Sequence, residues 1–296
     1  MTLSLLFAVA GCVLAGEALA VDEPIEIVSN AFGRIEYTLR GAQIRSWRTA
    51  DGVERLFRPR DMTFRGIADN RGGIPVCWPW FGMNGEKGAK PHGFARYTMF
   101  RQVRAEETKD GSARTLVLSP SPELHRIWPY DCELEYTMTL GRDLRLKLVT
   151  RNCGTNDAWI TEGLHPYWKV GDRRKVTVTG LEGLPYCFAD LGREATAKWR
   201  GTFVPAVHYD HVFWRGDRAV TIADSEWGRE IRISGSGYNK YVIWTPAEFK
   251  AGDFENLMPE DMYGFVCVEP ATLFRPDGYS LRPGESHTME VVFSAR

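Results

Sequence analysis

Residues able to bind an anion or a sugar are concentrated in one segment, Arg71 to Arg96, which reads RGGIPVCWPWFGMNGEKGAKPHGFAR. An arginine guanidinium is a permanently charged planar fork that suits phosphate or carboxylate, and aromatic rings offer flat faces for a sugar. The segment therefore predicts a site for an anionic sugar. The alternative is structural: Trp78, Trp80 and Phe81 would be core aromatics beside glycine turns, and the arginines would form surface ion pairs.

Two residues far downstream have the chemistry of proton transfer. His165 lies in the sequence EGLHPYW, and imidazole exchanges protons near neutral pH because its ordinary pKa is about 6.5. Glu269 follows the apolar run of VCVEP, and we expect it at the end of a buried strand, where a carboxylate is costly without a purpose or a partner. Glu269 is therefore the best candidate for a base of raised pKa. The alternative for His165 is a hydrogen-bonded structural histidine.

A third polar position, Asp210, lies in the sequence VHYDHVF. Its carboxylate could hold sugar hydroxyls, but aspartate is also a common turn residue, so both interpretations stay open.

These residues have to be positioned by β-strands, because the chain breaks into short β-type segments separated by glycine, proline and aspartate turns. Leu144 to Leu148 alternates apolar and charged residues, as a strand does when one face is buried. So many strands without long helical periodicity predict an all-β sandwich or barrel. We expect residues 21–296 to form one domain. The clearest segments are 35–39, 115–118, 134–140, 144–149, 176–178, 219–222, 231–233, 241–244, 265–268 and 289–293.

Composition indicates a small ligand. The 37 Lys and Arg residues balance 38 Asp and Glu residues, so no nucleic acid is expected as a partner. Ten tryptophans and 29 glycines are typical of turn-rich β proteins with aromatic surfaces, a composition often met in carbohydrate-handling folds.

The first twenty residues predict a signal peptide. The apolar run from Leu3 to Gly16 is too short to span a bilayer, and Ala18-Leu19-Ala20 is a small-x-small cleavage pattern. No Lys or Arg precedes the run, and VAGC ending at Cys12 also resembles a lipid-attachment motif. We rank cleavage after Ala20 first, a mis-chosen start codon second and lipid attachment third. The expected location is periplasmic or secreted, with the cytoplasm as the alternative, and the mature chain has no stable membrane span.

Five further cysteines are widely spaced and lack a CxxC pair, so they predict neither a disulfide framework nor a zinc site. Cys132 and Cys153 flank the turn Gly141-Arg142-Asp143, and a hairpin there would bring them near each other. A disulfide between them is therefore a hypothesis to test.

The sequence resembles the glucose-6-phosphate 1-epimerases, or hexose-6-phosphate mutarotases, of the aldose 1-epimerase superfamily. The matching blocks are, in the family's order, RGGIPVCWPWFG, HGFAR, LHPYW followed by VGD, YDHVF, VIWTP and VCVEPA. The resemblance implies a large twisted antiparallel β-sandwich, the galactose mutarotase-like supersandwich, with no metal and no cofactor in the chemistry. It implies a small sugar phosphate as the partner, and we expect a monomer.

The resemblance also implies site residues. His165 falls on the catalytic histidine and Glu269 on the catalytic glutamate; the substrate-binding positions fall on Arg71, His92, Arg96 and Asp210. Two departures concern substrate identity more than reaction type: Pro91 stands where many relatives have glutamine, and Thr245 stands where asparagine is common.

The implied reaction interconverts the α and β anomers of a hexose 6-phosphate. Glu269 would take the proton from O1 while protonated His165 gives one to the ring oxygen. The alternatives are a mutarotase of another sugar, a non-catalytic carbohydrate-binding protein, and a glycoside hydrolase in which Glu162 or Asp210 joins Glu269 as the second carboxylate.

Overall fold

The computed structural model describes residues 24–59, 71–83, 90–189, 195, 197–247, 257–273 and 277–296. The signal peptide over residues 1–20 lies outside the described residues and stays a prediction. Within them, the strands are β1 Ile25–Asn30, β2 Gly33–Thr38, β3 Ile44–Thr49, β4 Val76–Cys77, β5 Arg101–Thr108, β6 Gly111–Leu118, β7 Cys132–Gly141, β8 Leu144–Asn152, β9 Ala158–Ile160, β10 Gly163–Leu164, β11 Tyr167–Lys169, β12 Val176–Thr179, β13 Pro185–Phe188, β14 Ala197–Lys198, β15 Tyr209–Trp214, β16 Val220–Asp224, β17 Arg229–Ser236, β18 Lys240–Thr245, β19 Phe265–Ala271, β20 Tyr279–Leu281 and β21 Ser286–Ala295.

Helical structure in the described part of the chain is short. The α-helix α1 covers Pro122–Ile127, and three 3-10 turns cover Ala95–Tyr97, Arg173–Lys175 and Pro259–Tyr263. Ser121 caps α1, because its hydroxyl accepts a hydrogen bond from the Leu124 N–H. No described helix is long and apolar enough to cross a membrane.

Two large antiparallel sheets make up the sandwich. The first, called the site sheet below, has the order β14-β13-β15-β18-β19-β10-β4, with β11 also paired to β19. The second sheet has the order β12-β16-β17-β21-β8-β7-β6-β5. A three-stranded sheet, β1-β2-β3, and the pair β20-β9 complete the described strands. The prediction of an all-β antiparallel sandwich is confirmed.

The alternation of residue types decides which face of each strand is buried. In β8, Leu144, Leu146 and Leu148 are buried, whereas Arg145 and Lys147 between them are exposed. This is the pattern of a strand with one face on the core and one in water. Strand β19 differs, since all of its residues are buried. Both faces of β19 are therefore covered by other parts of the protein.

The main core fills the space between the two large sheets. Val266 and Val268 of β19 belong to the same hydrophobic cluster as Leu146 of β8 and Phe293 of β21. The rings of Trp168 and Phe293 meet across the layers with centroids 4.9 Å apart. One face of β19 is thus part of the core, which leaves its other face for the site.

The β7–β8 hairpin around the predicted turn is confirmed, with Leu140 opposite Leu144. Cys132 lies directly opposite Asn152, so Cys153 is one position out of register with it. Cys132 is buried and Cys153 is exposed, and both are free thiols in this structure. The expected proximity is present, but the disulfide is absent, because Cys132 packs in the core whereas Cys153 follows the end of β8 and is exposed.

Candidate active site

Strand β19 supplies the floor of the candidate site. Cys267 and Glu269 are two residues apart, so their side chains point to the same face, away from the core face of Val266 and Val268. Glu269 is 1% exposed. The expectation that it ends its strand is wrong, because β19 continues to Ala271 and Glu269 is paired with Val242 of β18.

The register of the site sheet places His165 opposite Glu269. Gly163 is paired with Ala271, and Tyr167 is paired with Cys267. Counting inward from both pairs brings His165 level with Glu269, and directly opposed residues of antiparallel strands share a face. The distance from His165 Nε2 to Glu269 Oε1 is 3.3 Å. The two predicted catalytic residues are therefore in contact.

Burial shifts the pKa values of this pair in opposite directions. Loss of water raises the pKa of Glu269 well above its usual range, and the nearby Asp210 carboxylate raises it further. Loss of water also lowers the pKa of His165 well below 6.5, and the charges of Arg96 and Arg71 add to that effect. Both shifts favour the uncharged forms, so the resting pair is a carboxylic acid beside a neutral imidazole.

The Arg71–Arg96 segment forms the edge of the site sheet beside His165. Its strand β4 is paired with β10, which ends one residue before His165. The segment then folds back, since the His92 N–H donates to the Gly82 carbonyl over 2.8 Å. Gly93 has a φ of +73°, and a Cβ at this position would overlap the Trp78 carbonyl. The HGFAR block therefore needs its glycine in order to lie against the strand.

His92 is held as a neutral hydrogen-bond donor. Burial and the charge of Arg96 lower its pKa to about 3. Its Nδ1 accepts a hydrogen bond from the Gly82 N–H over 3.3 Å, so the ring proton belongs on Nε2. The ring centroid lies 5.6 Å from that of His165. The arrangement can give His92 a hydrogen bond to donate to an oxygen near His165.

Arg96 and Arg71 place positive charge next to the proton-transfer pair. Arg96 is 8% exposed, and its guanidinium carbon lies 5.6 Å from the centre of the Tyr97 ring. Its charge lowers the pKa of both Glu269 and His165, and Arg71 acts on His165 in the same sense. Both predicted arginines therefore lie within electrostatic reach of the pair.

Asp210 lies on the site face of the site sheet, in one row with aromatic side chains. It is paired with Trp244, and Trp244 is paired with Cys267, so all three point to the site face. Tyr167, opposite Cys267, stacks on His165 with centroids 4.9 Å apart. Trp244 and Tyr167 thus flank the site. Sequence reasoning did not single them out, although both lie in motifs that it quoted.

The aromatic wall predicted for the Arg71–Arg96 segment is mostly wrong. Trp78 and Trp80 are 1% and 6% exposed and belong to the main core, where Trp78 packs against Phe94 and Trp128. Phe81 is partly buried, and its ring meets that of His92 at 4.8 Å. The structural alternative holds for the two tryptophans, because they face into the sandwich.

The two departures from the family pattern differ in meaning. Thr245 is a structural residue: its buried hydroxyl accepts a hydrogen bond from the Tyr209 N–H over 2.8 Å and donates one to the Val207 carbonyl over 2.7 Å. It therefore ties β18 to the start of β15. Pro91 is exposed and directly precedes His92, a position consistent with an effect on the substrate.

Glu162 points away from the site, into the space between the sheets. Its Oε2 accepts a hydrogen bond from the Thr150 hydroxyl over 3.1 Å, and its Oε1 lies 3.4 Å from His287 Nε2. Burial raises the pKa of Glu162 to about 8 and lowers that of His287, so we interpret the contact as one between neutral groups. Glu162 is therefore no second carboxylate facing Glu269.

We expect Glu162→Gln to remove a pH dependence of stability. The folded protein keeps the Glu162 proton up to about pH 8, whereas the unfolded chain releases it near 4.5. The folded state thus binds more protons between these values, and the free energy of unfolding falls with rising pH by up to about 1.4 kcal/mol per pH unit. Urea unfolding of both proteins between pH 5 and pH 8.5 checks this. Equal slopes would contradict the assignment, since His287 is common to both proteins.

Three donor atoms of different kinds come together in the site. His165, Cys267 and Glu269 each offer one atom, and these atoms lie within 4.8 Å of one another. Neither Glu269 oxygen has a hydrogen-bond partner among the described residues. The site thus combines a buried proton-transfer pair, a histidine donor, two arginines and a thiol.

A model of the aldose 1-epimerase family matches residues 24–294. The chain belongs to this family. A protein of Escherichia coli strain K12, provisionally named a glucose-6-phosphate 1-epimerase, is 31% identical over 251 residues, covering 83% of this chain and 82% of that protein. A Cenchrus ciliaris protein with the same provisional name is 29% identical over 269 residues, covering 88% of this chain and 80% of the relative.

The fold of this chain also matches solved structures. A provisionally named mutarotase from Salmonella typhimurium superposes with a TM-score of 0.82 at 24% identity, covering 93% of this chain and 90% of that one. The Slr1438 protein from Synechocystis gives a TM-score of 0.78 at 21% identity, covering 93% and 96%. The sandwich expected from the sequence resemblance is therefore shown.

Proposed function

We propose that this aldose 1-epimerase interconverts the α and β anomers of a hexose 6-phosphate, D-glucose 6-phosphate in particular. The observation that carries the proposal is the buried contact of His165 with Glu269, 3.3 Å between Nε2 and Oε1, beside two arginines. A pair of this kind can move one proton to a substrate oxygen and take another away. The provisional names of two relatives, glucose-6-phosphate 1-epimerase, support a phosphorylated sugar.

Anomer exchange needs one base and one acid. From the neutral resting pair, the Glu269 proton first passes to His165 Nε2, which lies 3.3 Å from Oε1. The resulting carboxylate then takes the O1 proton, and the imidazolium protonates the ring oxygen while the C1–O5 bond breaks. The products are the open aldehyde, a protonated Glu269 and a neutral His165. Rotation about C1–C2 and the reverse transfers then close the other anomer. The two transfers thus return the pair to the uncharged form that burial favours.

The arginines support a substrate with an anionic end. Arg71 and Arg96 lie at the two ends of one segment, and guanidinium groups bind phosphate through paired, charge-assisted hydrogen bonds. Holding the phosphate fixes the sugar while its anomeric carbon rotates. His92 would donate to a hydroxyl or to the open aldehyde, and Asp210 would accept from a hydroxyl at the other side of Trp244.

The proposal is tested by NMR exchange spectroscopy between the anomers of D-glucose 6-phosphate and of D-glucose. We expect the protein to accelerate anomer exchange of D-glucose 6-phosphate. The kcat/KM for this sugar should exceed that for D-glucose. Faster exchange of unphosphorylated glucose would indicate a mutarotase of neutral sugars. If the protein binds a sugar but accelerates anomer exchange of neither, it would be a carbohydrate-binding protein.

A further inference from the structure

We propose that His165, Cys267 and Glu269 form a binding site for a thiophilic divalent cation, Zn²⁺ in particular, which blocks the proton-transfer pair. The inhibition by such a cation rests on the proposed function. The binding of the cation does not. The observation that suggests the site is the placement of an imidazole nitrogen, a thiol sulfur and a carboxylate oxygen within 4.8 Å of one another.

The fold itself brings the three donors together. Cys267 and Glu269 are alternate residues of one strand, and His165 faces Glu269 across the ladder. In tetrahedral sites, Zn²⁺ holds nitrogen, sulfur and oxygen ligands at about 2.0–2.3 Å, which places the donors about 3.5 Å apart. The pair His165–Glu269 already meets this spacing at 3.3 Å. Small side-chain rotations of Cys267 would complete three corners, leaving the fourth to water or a sugar oxygen.

The Glu269 carboxyl group also has room to accept a hydrogen bond or to bind a cation. Both Glu269 oxygens are buried without a hydrogen-bond partner among the described residues, a costly state for a polar group. A metal ion would satisfy one of them directly. Cys267 would bind as thiolate and Glu269 as carboxylate, and both protons would pass to the solvent. His165 is the most exposed of the three residues, at 8%, so an ion would enter from its side of the site.

The surrounding charges favour one class of cation. Arg71 and Arg96 act on this pocket electrostatically, so a hard ion held by charge alone, such as Mg²⁺, is repelled. Zinc and cobalt gain much of their affinity from soft thiolate and imidazole ligands. The ion would occupy His165 Nε2 and a Glu269 oxygen, the two atoms that the reaction needs. The expected result of binding is therefore reversible inhibition.

Binding is tested with Co²⁺ as a spectroscopic probe, using untagged, chelator-treated full-length protein in a Cys153→Ser background, which removes the one thiol that is exposed among the described residues. We expect a thiolate-to-cobalt charge-transfer band that Zn²⁺ abolishes by competition and Mg²⁺ leaves unchanged. The band should disappear in Cys267→Ser and persist in Cys187→Ser, which removes another buried thiol of the same sheet. A spectrum of the Cys153→Ser parent without the band, or a band that survives when Cys267→Ser is added, would overturn the site.

Inhibition is tested in a separate experiment. For each protein we measure the Zn²⁺ concentration that halves its anomer exchange rate relative to the rate without metal. We expect this concentration to rise at least tenfold in Cys267→Ser and to change little in Cys187→Ser. Equal sensitivity of the two variants would overturn the inhibitory role. A cobalt band in a protein that accelerates no sugar would contradict the proposed function and leave the metal site standing.

Discussion

Glu269→Gln is expected to lower kcat for anomer exchange of D-glucose 6-phosphate by at least about 10²-fold, and by up to about 10⁴-fold. Glutamine has nearly the same shape, but it neither accepts the O1 proton nor returns it. Because the residue is buried in contact with His165, no water can readily take its place. NMR exchange rates of the variant and the wild-type protein check the expectation, with near-UV circular dichroism as a test of folding.

The matched control is Glu162→Gln, which makes the same substitution at another buried glutamate. Glu162 faces Thr150 and His287 between the sheets, so its variant should keep exchange within a few-fold of wild type. His165→Ala should cost about as much as Glu269→Gln, and the double variant little more, since both act in one proton transfer. Wild-type rates in both single variants would end the proposed mechanism.

Arg96→Ala is expected to remove the preference for the phosphorylated sugar. Loss of a charge-assisted, paired contact to phosphate corresponds to a drop in kcat/KM of roughly 10²-fold for D-glucose 6-phosphate. The rate for D-glucose should change far less, because that sugar has no anionic end. The measurement is the ratio of kcat/KM for the two sugars, taken from NMR exchange at several concentrations.

Arg96→Lys provides the control, because it keeps the charge and loses the planar fork. It should recover part of the lost preference. Arg71→Ala should shift the ratio in the same direction as Arg96→Ala. If either alanine variant slows both sugars equally, the arginine tunes the pair electrostatically and does not bind the phosphate.

The sandwich was predictable because strands of a two-layer fold carry their own pattern. The alternation of apolar and charged residues along β8 predicts which face is buried without any tertiary information. Strand β5 could not be predicted in this way, because it is an edge strand with every residue exposed and therefore has no apolar face. The short strands β4 and β10 were also missed, since two residues are too few to show a period.

The site was predictable in its residue types and less so in its geometry. His165 and Glu269 were singled out by chemistry, and their contact follows from register, which a single sequence does not display. The tryptophans of the Arg71–Arg96 segment were misread, because indole serves equally as a sugar platform and as a core residue. Cys267 passed unnoticed: a lone cysteine in an apolar strand has no signal until its neighbours are known.

The opposition of His165, in the link between β10 and β11, and Glu269 of β19 has an evolutionary consequence. The spacing of the two groups is a property of the sheet, whereas Arg71, His92 and Arg96 belong to a segment at its edge. The proton-transfer pair and the substrate-binding segment can therefore change independently during evolution. A relative could exchange the edge segment and acquire a different sugar, while the link between β10 and β11 and the strand β19 keep His165 and Glu269 in contact.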